Sequence, residues 1–519
     1  MKQLTAWQRT ITSPGDAVAW VITTALALLF IAENSHRVEQ LDDSFISYRY
    51  ALNLVAGHGL VFNPGEYVEG FTNLLWTLLI ALLVWLGAAA PSASQALSML
   101  FGGLSLYSLH FYVRRFLPRR FAWLAAAAPA VMLASNSFAC WMSTGLETPL
   151  FLFVTIVGLI AFDMQRPIVT AAICVLALLC RPEGGIMAAI LVGVPWFTAL
   201  MRGVGSQRDL IKISIPPMIF AASTIVLTFW RIAYYGDFVP NTFHAKVGQV
   251  PIALGWIYLK KFLADGNLLL LPGAILGGLA IPRLTIPLLF VLATIAYSIA
   301  IGGDVFPYGR FLLPVLPVLL AGACAAPAWL MGRQKVAGVA VMLALPVSAF
   351  VSLYGHVSVP GLVLANDFDM ASLPSARFPR SAKRAMAEQH WMAGPDEERL
   401  VHALATKMRR ARPGTSVVAS ISIGKLGYYN MDFCILDMVG LTDRHVGESR
   451  RSVPGAWIIP GHSRTDSDYI LSRRPDIISI PDKAALHTLT TPAVADMLSN
   501  PGLEQNYRYD DKDGFWVRK

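Results

Sequence analysis

Residues 16–50 read DAVAWVITTALALLFIAENSHRVEQLDDSFISYRY. A helix needs about 20 apolar residues to cross a bilayer, within a range of roughly 17–25, and the run 16–33 has that length. It follows Lys2 and Arg9, exceeds the apolar core of a secretion signal and lacks a small-x-small exit before Glu33. It therefore reads as an uncleaved first helix. Asp42 and Asp43 follow within a few residues, which puts them at the membrane surface. Adjacent carboxylates repel, so one is expected to be protonated or compensated by a cation. At an interface the pair suits a general base or a divalent metal such as Mg, Mn or Ca. Capping of a helix N-terminus, where Asp is favoured, is the competing role.

The rest of the chain extends this reading. Of 519 residues, 55% are hydrophobic and 14% charged, with a mean hydropathy of +0.53. A soluble protein carries about 25% charged residues. The composition excludes a soluble globular enzyme, a disordered chain and a coiled coil. Charge is unevenly spread: residues 1–354 hold 21 Lys/Arg and 14 Asp/Glu, and residues 355–519 hold 21 and 19. The expected architecture is a polytopic α-helical membrane domain over 1–354 and a soluble α/β domain over 355–519, long enough to bury its own core. The net charge of +9 is no nucleic-acid footprint, because the basic residues form short runs such as Arg114–Arg120 that read as topology anchors. The five cysteines form no CxxC pair, which argues against structural zinc.

Apolar runs near spanning length occur at 16–33, 73–88, 95–113, 121–139, 149–163, 167–180, 184–201, 213–233, 266–281, 284–302, 310–330 and 336–354. Twelve crossings would put Arg114–Arg120 and Met201–Lys212 outside, against the positive-inside tendency. Reading 73–88 as interfacial or re-entrant repairs both and leaves about eleven crossings. The inside segments then carry 13 Lys/Arg and 3 Asp/Glu, and the outside parts before residue 355 carry 8 and 11. The tail also lies outside.

Five outside segments carry polar groups at the membrane edge: the loop 34–72 with Asp42, Asp43, Arg49 and Glu69; Ser143–Pro149 with Glu147; Arg181–Gly185 with Glu183; Tyr234–Lys246 with His244; and Gly302–Arg310 with Asp304. Ionisable groups at membrane depth are costly and usually line a polar cavity. Five on one side suggest a single convergent cavity. Carboxylates there suit activation of a hydroxyl. Lys246, Arg310, Arg181 and Arg49 suit a phosphate. Arg181 and Glu183 also read as a structural ion pair, and Glu147 as a helix cap. No Walker loop or dinucleotide fingerprint occurs, and Ser422–Gly427 lacks the GxxxxGK[ST] spacing, so no nucleotide cofactor is expected.

In the tail, 382–412 has helical periodicity, and 416–423, 433–436, 476–481 and 515–518 read as strands. Asp437, Asp443, Arg444 and His445 form a polar cluster.

The strings DDSFISYRYALNLVAGHGLVFNPGEYVEGFTNLLW, GLETPLF, RPEG, YYGDFVPNTFHAK, GGD…GRFLLP and LDMVGLTDRHV occur in order from about residue 41 to residue 447. Together they resemble the GT-C superfamily of lipid-linked glycosyltransferases, and within it the terminal arabinofuranosyltransferase (AftB-like) group. The resemblance implies sugar transfer from a polyprenyl-phosphate donor to an envelope glycan, lipid or protein on the outer face of the bacterial inner membrane, with the tail periplasmic. Arabinofuranosyl or another pentose is the implied sugar. The family's catalytic aspartate falls on Asp42 or Asp43, with a possible metal there too, and donor-phosphate binding on Lys246, Arg310 and Arg181. Arg49, Glu69, Glu147, Glu183, His244 and Asp304 are then expected to bind substrate. Two other readings compete: a ligase using a lipid-pyrophosphate donor, and a non-enzymatic lipid-glycan transporter, which would carry charges along its crossings.

Overall fold

A computed structural model describes residues 14–35, 40–246, 252–304, 306, 308–354, 397–451, 453, 463–482 and 491–519. The chain begins with α1 (Pro14–Ser35), α2 (Asp42–Val55), α3 (Leu74–Trp85) and α4 (Ala90–Arg114). It continues through the short α5 (Ala127–Ala134) and α6 (Asn136–Trp141), then α7 (Thr148–Asp163) and α8 (Pro167–Cys180). Among the described residues, seven helices are long and apolar enough to cross a membrane: α1, α4, Gly184–Met201, Gln207–Tyr235, Pro282–Ala300, Leu313–Leu330 and Lys335–Leu353. An eighth forms if Ile252–Ala264 and Asn267–Ala280, bent by 76°, are counted as one span. The chain is a multi-pass membrane protein by this measure.

The remaining expected crossings differ for local reasons. The run 121–139 is not one helix. A 3-10 segment over Arg119–Ala126 precedes α5, and extended backbone at Ser135 separates α5 from α6. Pro129 falls in the first turn of α5, where its missing N–H costs no intrahelical bond. Helices α7 and α8 have 16 and 14 residues. At 1.5 Å per residue they reach about 24 and 21 Å, short of the ~30 Å hydrocarbon core. With 12 residues, α3 is also too short to cross alone, as expected for 73–88. In Gly184–Met201 a π turn over Ala189–Gly193 precedes Pro195 and absorbs the bond the proline cannot make. The 76° bend turns on Gly266, which is left-handed (φ +84°), and a Cβ there would meet the Ser348 carbonyl at 2.6 Å.

The helices have two distinct ends. At one end Asp16 of α1 pairs with Arg114 of α4, and Asp163 of α7 pairs with Arg115 and Arg283. This is the Arg-rich end that the charge bias assigns to the inside, and its acids are neutralised by it. The other end carries Glu147, Arg181, Glu183 and Arg231, and the C-terminal domain packs there. Small residues let Asn267–Ala280 approach Leu313–Leu330, where a Cβ on Gly277 would lie 2.7 Å from the Gly322 Cα.

The tail is α/β. Strands β1 (Val417–Ser420), β2 (Cys434–Asp437) and β3 (Ile477–Ser479) run parallel, and β4 (Tyr507–Asp510) with β5 (Phe515–Arg518) forms an antiparallel pair, in the order β2-β1-β3-β5-β4. Four strands match the sequence reading; β4 is additional. The expected helix 382–412 is described only as Glu397–Ala411, and 382–396 lies outside the described residues. The core beneath this sheet does not end at the tail. Ile46, Tyr50, Leu60, Phe62 and Phe71 from the first loop pack in one cluster with Val418, Leu426, Ile435, Leu436 and Leu441. Tail and first loop therefore share one hydrophobic core.

Candidate active site

A cavity of about 370 Å³ opens where the helix ends meet the tail. Its wall includes Asp43, Ser47, Asn73, Glu147, Arg181, Glu183, Arg231, Thr242, Lys246, Asp304, Arg310 and Leu441. All five outside segments of the sequence reading contribute to it.

Helix α2 separates the two aspartates. Successive residues point about 100° apart on a helix, so residues three, four or seven apart share a face. Asp43, Ile46 and Ser47 line the cavity. Asp42 and Arg49 face the tail. The Asp42 carboxylate accepts the Gly424 N–H at 3.0 Å and the Lys425 N–H at 2.8 Å, capping the short helix Gly424–Tyr429. A Cβ at position 424 would collide with the Asp42 carbonyl oxygen, so that close approach requires glycine. The sequence reading left open which of the two carboxylates is catalytic and gave helix capping as the competing role; the structure puts Asp43 on the cavity and Asp42 in the joint with the tail.

Arg49 also lies in the joint with the tail. It is fully buried and donates to the carbonyls of Phe62, Gly427, Asn430 and Phe433 and to Asn63 Oδ1. Burial pulls its guanidinium down to about 10, still protonated at neutral pH. It does not line the cavity; it binds α2 to the tail. Glu69 is buried beside the cavity and holds Arg231 Nε at 2.8 and 3.1 Å with its two oxygens. Burial raises its carboxyl, partly offset by Arg231. His244 turns away from the cavity and sits 2.8 Å from Asp237 Oδ2.

Within the cavity the polar groups form a chain. Ser47 Oγ donates to Asn73 Oδ1 at 3.2 Å, and Asn73 Nδ2 donates to Glu147 Oε2 at 2.9 Å. Glu147 pairs with Arg181, whose guanidinium also grips Glu183 through bonds of 2.9 and 3.2 Å. Burial alone would raise the Glu147 carboxyl; Arg181, Arg310 and Asn73 outweigh it and hold it low. Both carboxylates keep Arg181 charged. The structural ion-pair reading of Arg181–Glu183 thus coexists with exposure of both to the cavity. Arg310 Nε lies 2.8 Å from Asp304 Oδ2, off the N–H axis. Its guanidinium also faces Trp141, Phe306 and Phe311 at 5.1–5.5 Å. Lys246 is exposed and makes no ion pair among the described residues.

Arg231 was not singled out from the sequence. Its signal was a lone arginine in the last turns of an otherwise apolar helix, a costly placement that marks a functional edge. Leu441 was missed as a lining residue because its position depends on the tail. Buried Asp437 accepts the N–H groups of Val439, Gly440 and Thr442, shaping the turn that presents Leu441. Asn241 Nδ2 then donates to the carbonyls of Gly440, Leu441 and Asp443. Asp437 and Asp443 are therefore loop-forming residues.

Residues 385–513 match the model of a domain of unknown function (DUF8728). The chain is 30% identical over 272 residues to the terminal beta-(1->2)-arabinofuranosyltransferase of Mycobacterium tuberculosis, covering 47% of this chain and 40% of that protein. It is 28% identical over 340 residues to the Corynebacterium glutamicum protein of the same name, covering 54% and 47%. The matches span less than half the length of these relatives. Among solved structures, ArnT from Cupriavidus metallidurans bound to undecaprenyl phosphate superposes with a TM-score of 0.53 at 15% identity, covering 91% of this chain and 96% of that one. The archaeal oligosaccharyltransferase AglB from Archaeoglobus fulgidus, in complex with an inhibitory peptide and a dolichol-phosphate, gives 0.51 at 13% identity, covering 81% and 64%. The fold is of the GT-C type.

Proposed function

We propose that this GT-C-type chain is a glycosyltransferase that moves a sugar, best an arabinofuranosyl or other pentose, from a polyprenyl-phosphate donor to a hydroxyl of an envelope glycan, lipid or protein. The reaction is placed on the outer face of the bacterial inner membrane, with the tail periplasmic. The observation that carries this reading is one cavity at the helix ends holding the Asp43 carboxylate together with Lys246, Arg231 and Arg310. The names of the relatives support the sugar, and the lipid phosphate bound to ArnT supports the donor class.

Asp43 accepts the proton of the acceptor hydroxyl as its oxygen attacks the anomeric carbon. The bond from that carbon to the phosphate oxygen breaks, and the lipid phosphate leaves with the added charge. Lys246 and Arg310 meet that charge. Phe306 and Phe311 beside Arg310 keep its surroundings apolar, which strengthens the interaction. Arg181 already serves two carboxylates, so its part is to fix Glu147 and Glu183. Three of the four lining cations are paired with carboxylates, which suits a donor with one phosphate better than a pyrophosphate. The cavity and its polar groups open at one end of the helices, which favours an enzyme over a transporter.

The test is transfer from a radiolabelled polyprenyl-phosphate pentose or hexose by the purified protein in lipid. Asp43→Asn is expected to lower turnover by about 10²–10⁴-fold, the scale of a general base. Undiminished transfer in that variant overturns the assignment.

A further inference from the structure

We propose that Asp237, His244 and Glu448 form a divalent-cation site that fastens the C-terminal domain to the segment carrying Lys246. The donor atoms of the three side chains all lie within 4.8 Å of one another. Two come from the turn and short helix after Gln207–Tyr235. The third ends the helix Arg444–Glu448 of the tail, about 200 residues further on.

The donors are held from behind. Asp237 Oδ1 accepts the Val239 N–H at 3.2 Å, leaving Oδ2 toward His244 Nε2 at 2.8 Å. Such support orients a metal-binding carboxylate. The two strands of chain are fixed to each other around the trio. Asn241 reaches three tail carbonyls, Arg444 bonds the Tyr235 carbonyl, and Arg464 Nε bonds the His244 carbonyl at 3.1 Å.

The donor set selects the ion. One imidazole nitrogen and two carboxylates suit zinc, with manganese or ferrous iron next, and lack the six to eight oxygens calcium takes. Ligand atoms about 2.0–2.1 Å from a tetrahedral ion lie roughly 3.4 Å apart. A site with three protein ligands keeps one position for water. None of the three side chains lines the cavity, so the ion is structural. His244 lies two residues before Lys246 on the same short helix, and the ion fixes that part of the cavity rim.

The test uses the full-length protein in detergent, with any polyhistidine tag removed and metal stripped by EDTA. Zn²⁺ and Mn²⁺ are titrated by calorimetry, and Tm is followed by intrinsic fluorescence. The wild type is expected to take up one equivalent of zinc and to rise in Tm on saturation. Glu448→Gln changes an exposed side chain, and its metal-free Tm matching that of stripped wild type shows that it folds. It is expected to bind zinc at least about tenfold more weakly and to lose the Tm rise. His244→Gln should behave the same way. No saturable uptake by the wild type, or unchanged affinity in Glu448→Gln, overturns the proposal. Both readouts are binding, so they stand whether or not sugar transfer is found.

Discussion

At the scale of single residues, one step of helix rotation separates two neighbouring carboxylates. Asp43 faces the cavity, and Asp42 is held by two tail amides. A hydrogen bond to a charged group contributes about 1.5–3 kcal/mol. Asp42→Ala is therefore expected to lower stability by roughly that amount, read as a drop in Tm in detergent, whereas Asp43→Asn leaves Tm nearly unchanged while transfer is lost. Equal Tm losses in both variants would contradict this division. The sequence could show that the pair was special but not how to split it. The amides that decide it lie 382 and 383 positions away. Glu147 carries the second prediction at this scale. Its folded carboxyl is held below the usual value of 4.5, with burial opposing and Arg181 and Arg310 prevailing. A depressed acid stabilises the fold above its unfolded value and loses that contribution as pH falls through the folded one. Glu147→Gln should cost about 1.5–3 kcal/mol at pH 7, because Arg181 keeps only Glu183. The gap to wild type should close below pH 4.5, as measured by denaturation across pH; a gap independent of pH would rule out the ion pair as its cause.

At the scale of elements, α2 is the piece on which both halves depend. Its cavity face carries Asp43 and Ser47, and its other face carries Arg49, which reaches four carbonyls and one amide oxygen. The spacing of Asp42 and Arg49 could be read as one helical face, but not that the face was covered. A lone arginine beside a membrane edge looked like a phosphate ligand, and nothing local said otherwise. The same limit explains the run 121–139, whose apolar length reads as a span. Composition carries hydropathy, and hydropathy is blind to the extended turn at Ser135. Strand β4, YRYD, alternates tyrosines that pack on the core with charged residues, but four residues carry too short a pattern to stand out from a polar turn. Arg49→Lys tests the clamp. Lysine offers three donors from one point in place of a planar fork of five, so buried carbonyls go unpaired at about 1–3 kcal/mol each. We expect a lower Tm and faster amide exchange in Gly424–Tyr429, with less change in Thr148–Asp163, by hydrogen exchange and mass spectrometry. Uniform exchange across both helices would mean that Arg49 does not act through the joint.

At the scale of the whole molecule, the charge bias anticipated which groups meet. Asp43, Glu147, Glu183 and Asp304, from four of the outside segments, meet on one cavity, while Asp16 and Asp163 at the opposite end are absorbed by Arg114, Arg115 and Arg283. Which groups share an end was legible because membrane insertion sorts Lys and Arg by simple electrostatics. The joint between the parts was not, because a shared core needs tertiary contacts. Phe62 and Phe71 would be apolar surface on the membrane domain if the tail were an independent module; each is buried against it instead. The two ends of the molecule should therefore report opposite sides of the membrane. Native cysteines allow the test, since Cys140, Cys174, Cys180 and Cys324 are buried and only Cys434 is partly open. In a Cys434→Ser background, Asp511→Cys on the exposed β4–β5 turn should be labelled in spheroplasts by a membrane-impermeant maleimide. Lys335→Cys, at the start of Lys335–Tyr354, should be labelled only after the membrane is opened. Labelling of Lys335→Cys in intact spheroplasts would reverse the topology and move the Asp43 cavity to the cytoplasmic side, where a lipid-linked donor would no longer be needed to bring the sugar across.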